Sequence, residues 1–111
     1  VCSSDLSYRR VTPPVRNDPK LAQRLLPAMG QAVGHDRLVE LPPSMGGEDF
    51  AFFAERIPGF YFRVGSTAPG TRSGGLHTPT LRADDATVAV GMRLLSRLAI
   101  ELLLGNPAAA A

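Results

Sequence analysis

The chain is organised around two glycine-containing stretches, Gly74-Gly75-Leu76-His77-Thr78-Pro79 and, upstream of it, Met45-Gly46-Gly47-Glu48-Asp49-Phe50. In both, reactive side chains stand beside glycines, which let another backbone segment or a ligand approach closely. Pro79 stiffens the first stretch and favours an extended Thr78. His77 is therefore presented on a rigid loop, and it is the strongest candidate in the chain for a metal ligand or an acid–base group. The alternative is an ordinary loop histidine that is solvated or hydrogen-bonded.

The composition is typical of a globular chain. Its 111 residues allow at most one small domain, since domains commonly have roughly 100–150 residues. Hydrophobic residues make up 44% of the chain and charged residues 20%, which is ordinary for a folded protein. No apolar run approaches the ~20 residues that span a membrane, so no membrane partner is expected. The single cysteine cannot form an internal disulfide, and we therefore expect a cytoplasmic protein.

The charge pattern argues against nucleic-acid binding. The pI is about 9.2, which by itself would suit a nucleic-acid partner. The net charge is only +2, however, and the arginines are scattered along the chain instead of forming a run. We therefore expect no nucleic-acid partner.

Hydrophobic periodicity predicts three helices, at 19–33, 49–55 and 85–104, and three short strands, at 7–11, 37–40 and 60–64. Asp18 is the expected N-cap of the first helix, with Pro19 at its first position and Gly34 at its end. The expected buried face of this helix consists of Leu21, Leu25, Ala28, Met29 and Ala32.

The other two long elements have apolar faces of their own. In the 60–64 strand, Phe60, Phe62 and Val64 fall on one side by a period of two. Gly105 and Asn106-Pro107 are the expected end of the last helix. The predicted apolar stripe of that helix runs through Val88, Met92, Leu95, Leu98 or Ala99, and Leu102.

Several motifs in a fixed order resemble a known family. They are Met45–Phe53, Ile57–Phe62 and Leu76–Pro79, preceded by Tyr8 and by Thr12-Pro13-Pro14-Val15 with Asn17-Asp18. Together they are similar to the C-terminal part of the dinuclear metal amidohydrolases of the aminoacylase–carboxypeptidase superfamily. The nearest branch is that of the hippurate hydrolases and indole-acetyl-amino-acid hydrolases, and the similarity extends from about Tyr8 to Leu104.

The resemblance implies an α/β fold: a C-terminal fragment of a two-domain metallopeptidase-like catalytic domain, with a mixed sheet flanked by helices. Residues 7–11 would end a lid-domain strand, 12–105 would form the C-terminal part of the catalytic domain, and 106–111 would be a frayed tail. We interpret residues 1–6 as a non-native scar, because they resemble a translated sequencing adapter. The alternative is that they are the tail of the lid-domain strand.

The activity implied by the resemblance is hydrolysis of the amide bond in N-acyl amino acids or small peptide-like substrates. Two divalent ions, zinc or manganese, would serve each complete active site, and His77 matches a metal ligand of the family. The other ligands and the general base have no counterpart here, so the chain is expected to contain no catalytic residue and to be inactive alone. The parent enzyme would be a homodimer through its lid domain.

The loop at Gly46, Gly47, Glu48 and Asp49 lines the active-site cleft in the family, which implies that it supports the substrate or the metal ligands. The alternative for the two carboxylates is that they cap the helix that follows. For the whole chain, the alternative to an enzyme is a small binding or interaction module without catalysis.

Overall fold

The computed structural model describes residues 4–9 and 11–104, and the regular elements of this part of the chain are helices. Helix α1 is Pro19–Val33, α2 is Phe50–Ala54 and α3 is Ala86–Leu104, and a 3₁₀ turn at His35–Arg37 follows α1. The three predicted helices are thus confirmed to within one residue at each described end. The predicted helix stop at Gly105, the 106–111 tail and the first three residues of the 1–6 segment lie outside the described residues.

Helix α1 begins and ends as the sequence predicts. Asp18 Oδ1 accepts the Leu21 N–H at 2.9 Å, which satisfies one of the free donors of the first turn. At the other end Gly34 has φ 100°, a conformation that glycine adopts easily, and its N–H donates to the Gly30 carbonyl at 2.8 Å. Pro27 lies within α1, and the helix nevertheless continues to Val33.

The core lies between α1 and α3. Its buried side chains are Leu25, Ala28 and Met29 from α1 and Leu94 and Leu98 from α3. The predicted buried face of α1 is therefore confirmed, with Leu21 and Ala32 packed at its edge. Phe60, Phe62 and Val64 also pack against this core, so the predicted apolar face of that segment is correct although the segment is not a strand.

The predicted apolar stripe of α3 is mostly wrong. Val88, Met92 and Leu95 are each more than 60% exposed, and Leu94, outside the predicted stripe, is buried with Leu98. The reason is that α3 carries apolar residues around most of its circumference, so periodicity alone does not determine which side meets α1. The Arg24 guanidinium of α1 donates to the carbonyls of Glu101 and Leu102, which ties the last turn of α3 to α1.

The three predicted strands, at 7–11, 37–40 and 60–64, are wrong for the residues that the structure describes, a set that omits residue 10. The mixed sheet is accordingly not found in residues 4–9 and 11–104. A strand needs a neighbouring strand to pair its backbone groups. In the 60–64 segment a side chain takes that place: the Asn17 amide bonds both the N–H and the carbonyl of Tyr61. Leu38, in the 37–40 segment, instead donates its N–H to His35 in the 3₁₀ turn.

The chain is open in shape and leaves much apolar surface uncovered. Its radius of gyration is 18.2 Å, whereas a compact domain of 100 residues has about 13 Å. Exposed large apolar side chains include Met45, Phe53 and Leu103 as well as those of α3. None of the helices within the described residues is both long enough and apolar enough to cross a membrane.

Candidate functional site

His77 lies on a tight turn whose backbone is fixed by several hydrogen bonds. Gly74 N–H donates to the Thr80 carbonyl at 3.0 Å, and Leu81 N–H to the Thr78 carbonyl at 3.2 Å. The Gly75 carbonyl accepts twice from Thr78, from its N–H at 3.3 Å and from its hydroxyl at 2.8 Å. His77 itself is exposed, so its imidazole is free to meet a ligand from outside the turn.

The backbone of His77 is in an uncommon conformation. Its φ is 65°, and it is the only residue other than glycine with a positive φ in the described part of the chain. This region is disfavoured for residues with a Cβ, and such conformations persist where the surrounding structure enforces them, often at functional positions. The sequence indicated a rigid loop here; histidine adopts a left-handed backbone more often than most residues, but that preference alone does not predict one.

An open cavity of about 500 Å³ adjoins this turn. Arg72 and Arg82 contribute to its wall, together with Gly74 and Thr80 from the turn. Ser73 Oγ accepts the Arg82 N–H at 2.8 Å and donates to the Gly74 carbonyl at 3.1 Å, which joins the two sides of the loop. These hydrogen bonds therefore connect the segment before the His77 turn with the segment after it.

The second predicted region forms a cluster centred on Tyr61. Glu48 Oε2 accepts the Tyr61 hydroxyl at 3.0 Å, and Glu48 Oε1 accepts the Phe50 N–H at 3.1 Å. The ring centres of Phe50 and Tyr61 are 5.6 Å apart. The Phe50 N–H, and after it the Tyr61 hydroxyl, hold the pKa of Glu48 below its ordinary value of 4.5, since both hydrogen bonds favour the charged form.

The other predicted residues of this loop have less defined roles. Asp49 stands at the N-cap position of α2, but its side chain makes no capping hydrogen bond. Glu48 instead provides the acceptor, so the capping alternative fits Glu48 and not Asp49. Gly46 is open, with no atom within 4 Å of where a Cβ would lie, whereas a Cβ on Gly47 would come within 3.3 Å of Thr12 Oγ1.

Sequence reasoning did not single out Asn17 and Tyr61 as site residues, although both lie in the motifs that carry the family resemblance. The Asn17 side chain accepts the Tyr61 N–H at 2.7 Å and donates to the Tyr61 carbonyl at 2.8 Å. The adjacent Asp18 N–H donates to the Gly59 carbonyl at 2.9 Å. These bonds fix the backbone around Tyr61, whose hydroxyl donates to Glu48. A signal was present in the residue type, because an asparagine can replace a missing strand partner with both halves of its amide.

The two regions do not meet directly. Among the described residues, no hydrogen bond or ion pair joins the His77 turn to the Glu48 loop. The same residues contain no group of three or more His, Cys, Asp or Glu side chains that could hold a metal ion. A catalytic zinc normally has three protein ligands and a water. Within the described residues, His77 thus stays a predicted ligand, and no complete site of this kind is formed.

Comparison with known proteins identifies one family, whereas the names of the similar proteins differ from one another. The family described as Peptidase family M20/M25/M40 matches residues 3–101. A protein of Rhodococcus jostii, named as a glutamate–cysteine ligase, is 42% identical over 85% of this chain and 12% of its own length. A Synechocystis protein named as the hydrolase sll0100 is 41% identical over 83% of this chain and 24% of its own. The IAA-amino acid hydrolase ILR1-like 2 of Arabidopsis thaliana is 28% identical over 86% of this chain and 22% of its own.

The chain spans between about an eighth and a quarter of the length of these curated relatives. The ligase name thus belongs to a protein of which the matched segment is a small part, and it says little about what that segment does. No solved structure matches the chain significantly.

Proposed function

Because the chain belongs to Peptidase family M20/M25/M40, we propose that it is part of a metal-dependent amidohydrolase that cleaves the amide bond of N-acyl amino acids or small peptide-like substrates. The family supports a peptidase-like α/β fold for the whole protein, and we place the helices α1 and α3 in one layer of that fold. The names of the hydrolase relatives support hydrolysis, and the IAA-amino acid hydrolase supports an amino-acid conjugate as substrate.

The observation that carries this proposal is the presentation of His77. Its imidazole is exposed on a turn that backbone and hydroxyl hydrogen bonds hold in one conformation. A histidine that binds a metal must be neutral and must point a ring nitrogen at the ion. A rigid turn holds the imidazole in that orientation before binding, so little entropy is lost when the metal binds. His77 would hold one of two divalent ions, zinc or manganese. Such ions, when bound, polarise a carbonyl and lower the pKa of a coordinated water.

The Glu48 loop would support the same site from a different side. Glu48 is ionised at neutral pH and its two hydrogen bonds orient the carboxylate, so it adds a fixed negative charge without having to bind a metal itself. Gly46 and Gly47 would let the substrate pass close to the backbone of the loop. We assign no role in proton transfer to any described residue.

The chain alone should not turn over substrate, because one protein ligand cannot hold a catalytic metal. The uncovered apolar side of α3 supports the same view, since surfaces of this kind mark contacts with further protein. In the whole protein we propose a homodimer formed through a lid domain. The alternative, a binding module without catalysis, predicts that N-acyl amino acids bind to the whole protein and are released unchanged.

The test replaces His77 by alanine in the whole protein. Metal content after dialysis and hydrolysis of a panel of N-acyl amino acids are measured together. Loss of a partner that merely orients a ligand histidine costs ~10–100-fold in metal affinity or activity, and loss of the ligand should cost at least as much. The matched control is His35→Ala, which removes the only other histidine of the chain, also exposed, and should leave both readouts unchanged.

Two results would contradict the proposal. Full metal content and full turnover in His77→Ala would remove His77 from the site. Hydrolysis of an N-acyl amino acid by the purified 111-residue chain, above the level of its own His77→Ala variant, would show that the chain needs no further ligands.

A further inference from the structure

The turn that carries His77 contains a close contact that leaves no room for a side chain at Gly74. A Cβ on Gly74 would lie 2.2 Å from Thr80 Oγ1 and 2.3 Å from Thr78 Oγ1. It would also lie 3.0 Å from the backbone carbonyl carbon of Thr80, which cannot rotate away. Gly74 therefore has to be glycine for reasons of space, since it is not among the described glycines with positive φ.

The two hydroxyls that fill this space are part of the turn's own bonding. They lie 3.4 Å apart, and the Thr78 hydroxyl donates to the Gly75 carbonyl at 2.8 Å. Gly74 N–H donates to the Thr80 carbonyl at 3.0 Å, which closes the turn across its base. A side chain at Gly74 would push apart Thr78 and Thr80, the two threonines on either side of Pro79. The hydrogen bonds between the residues that flank His77 would then be weakened or broken.

Of the residues in this turn, His77 depends most on these hydrogen bonds. Its φ of 65° is disfavoured for any residue with a Cβ, so it would relax to a right-handed or extended conformation if the turn opened. That relaxation rotates the Cα–Cβ bond and redirects the imidazole. A ligand geometry tolerates little such movement, because misplacement by about 1 Å can cost ~100-fold in function.

We propose that Gly74, through its contact with the hydroxyls of Thr78 and Thr80, is a positioning residue that holds His77 in the conformation in which it binds metal. This rests on the proposed function, in which His77 is a ligand. Gly74 acts sterically, because its lack of a side chain leaves room for the two hydroxyls, and it contacts neither metal nor substrate.

The adjacent Gly75 provides a matched control. Nothing lies within 4 Å of a Cβ built on it, and its φ is not in the left-handed region. Gly74→Ala and Gly75→Ala thus add the same methyl group to neighbouring positions of one loop, and only the first meets an obstacle. Both remove the same glycine flexibility from the unfolded chain, so that effect cancels in the comparison.

The first measurement is conformational and needs no metal. Backbone ¹³C and ¹⁵N chemical shifts of His77 are compared in the metal-free whole protein and in its two variants. Gly74→Ala should move the His77 shifts away from left-handed values, and Gly75→Ala should leave them in place. Unchanged His77 shifts in Gly74→Ala would overturn the inference.

The second measurement is the dissociation constant of the whole protein for Zn²⁺, by competition with a chelating dye. Gly74→Ala should weaken binding ~10–100-fold, as for other losses of ligand orientation, and Gly75→Ala should stay within about twofold. If Gly74→Ala does not fold, Thr78→Val keeps the side-chain shape and removes the hydroxyl, with its bond to the Gly75 carbonyl and its contact with the Thr80 hydroxyl. Thr78→Val should shift His77 and weaken Zn²⁺ binding in the same direction, and no change in either would overturn the inference.

The His77→Ala variant separates this inference from the proposed function. Zn²⁺ binding that is unaffected by His77→Ala contradicts the proposed function, and this inference with it. Binding that His77→Ala abolishes but Gly74→Ala leaves intact contradicts only the positioning role of Gly74.

Discussion

The contact between α1 and α3 predicts a large difference between two leucines three residues apart. Leu98 is 5% exposed and packs against Leu25 and Met29, whereas Leu95 is 63% exposed. Truncation of a buried leucine to alanine removes about 2.4 kcal/mol of transfer free energy, at about 0.8 kcal/mol per methylene. The cavity left behind increases the loss, so Leu98→Ala should lower the free energy of unfolding by about 3–4 kcal/mol.

Leu95→Ala should cost about 1 kcal/mol or less. Only about a third of that side chain is removed from water, and alanine's higher helix propensity offsets part of the loss. The comparison is well matched, because both positions lie within α3 and the chemical change is the same.

The assay is urea unfolding followed by far-ultraviolet circular dichroism. With slopes of about 1–3 kcal/mol/M, Leu98→Ala should lower the midpoint by roughly 1–4 M without a change in slope. Leu95→Ala should lower it by less than half as much. Equal losses, or a larger loss for Leu95→Ala, would refute the assignment of the Leu94–Leu98 side of α3 to the core.

The remaining predictions concern the Glu48 cluster and the start of α1. Tyr61→Phe should raise the pKa of Glu48, because one of its hydrogen-bond donors is lost, and carboxyl ¹³C titration checks this; an unchanged pKa would mean that the Phe50 N–H alone keeps it low. Since the folded pKa of Glu48 is lowered, its stabilising contribution is present above pH 4.5 and is lost as the pH falls through the lowered value, so Glu48→Gln should reduce the acid sensitivity of the urea midpoint. Asp18→Ala should cost about 1 kcal/mol through loss of the cap on Leu21, whereas Asp18→Asn, which still accepts that N–H, should cost far less in the same urea assay.

Local features of this fold could be predicted from the sequence because their causes are local. Asp18 before Pro19, and Gly34 after an apolar face, define α1 through contacts that span three or four residues. Asp84 acts in the same local way at the start of α3, where its Oδ1 accepts the Ala86 N–H. In each case the residue at the start or end of the helix and the backbone group to which it bonds are at most four positions apart in the sequence.

Features that depend on a distant partner could not be predicted in this way. The alternation at Phe60, Phe62 and Val64 correctly predicts which side is buried, but whether the segment is a strand depends on a neighbouring strand, and the described residues provide the Asn17 amide instead. Periodicity likewise cannot determine the buried side of α3, because apolar residues lie around most of its circumference. The left-handed backbone of His77 has a similar origin, since hydrogen bonds between its flanking residues impose it.

Glu48 shows how a residue can serve the fold and a site together. From the sequence, helix capping and support of the metal or substrate were equal alternatives for this carboxylate. Each carboxylate oxygen of Glu48 accepts one hydrogen bond, Oε1 from the Phe50 N–H and Oε2 from the Tyr61 hydroxyl. A carboxylate has about four acceptor positions, so these two bonds use about half of them. The same two bonds lower its pKa, but the carboxylate is ionised at neutral pH in any case, so at that pH the contacts that anchor α2 act by holding the charged group in one orientation. Capping therefore does not compete with a supporting role: the bonds that satisfy the helix are the ones that fix the charge, and a metal or substrate nearby would meet a carboxylate that is already oriented.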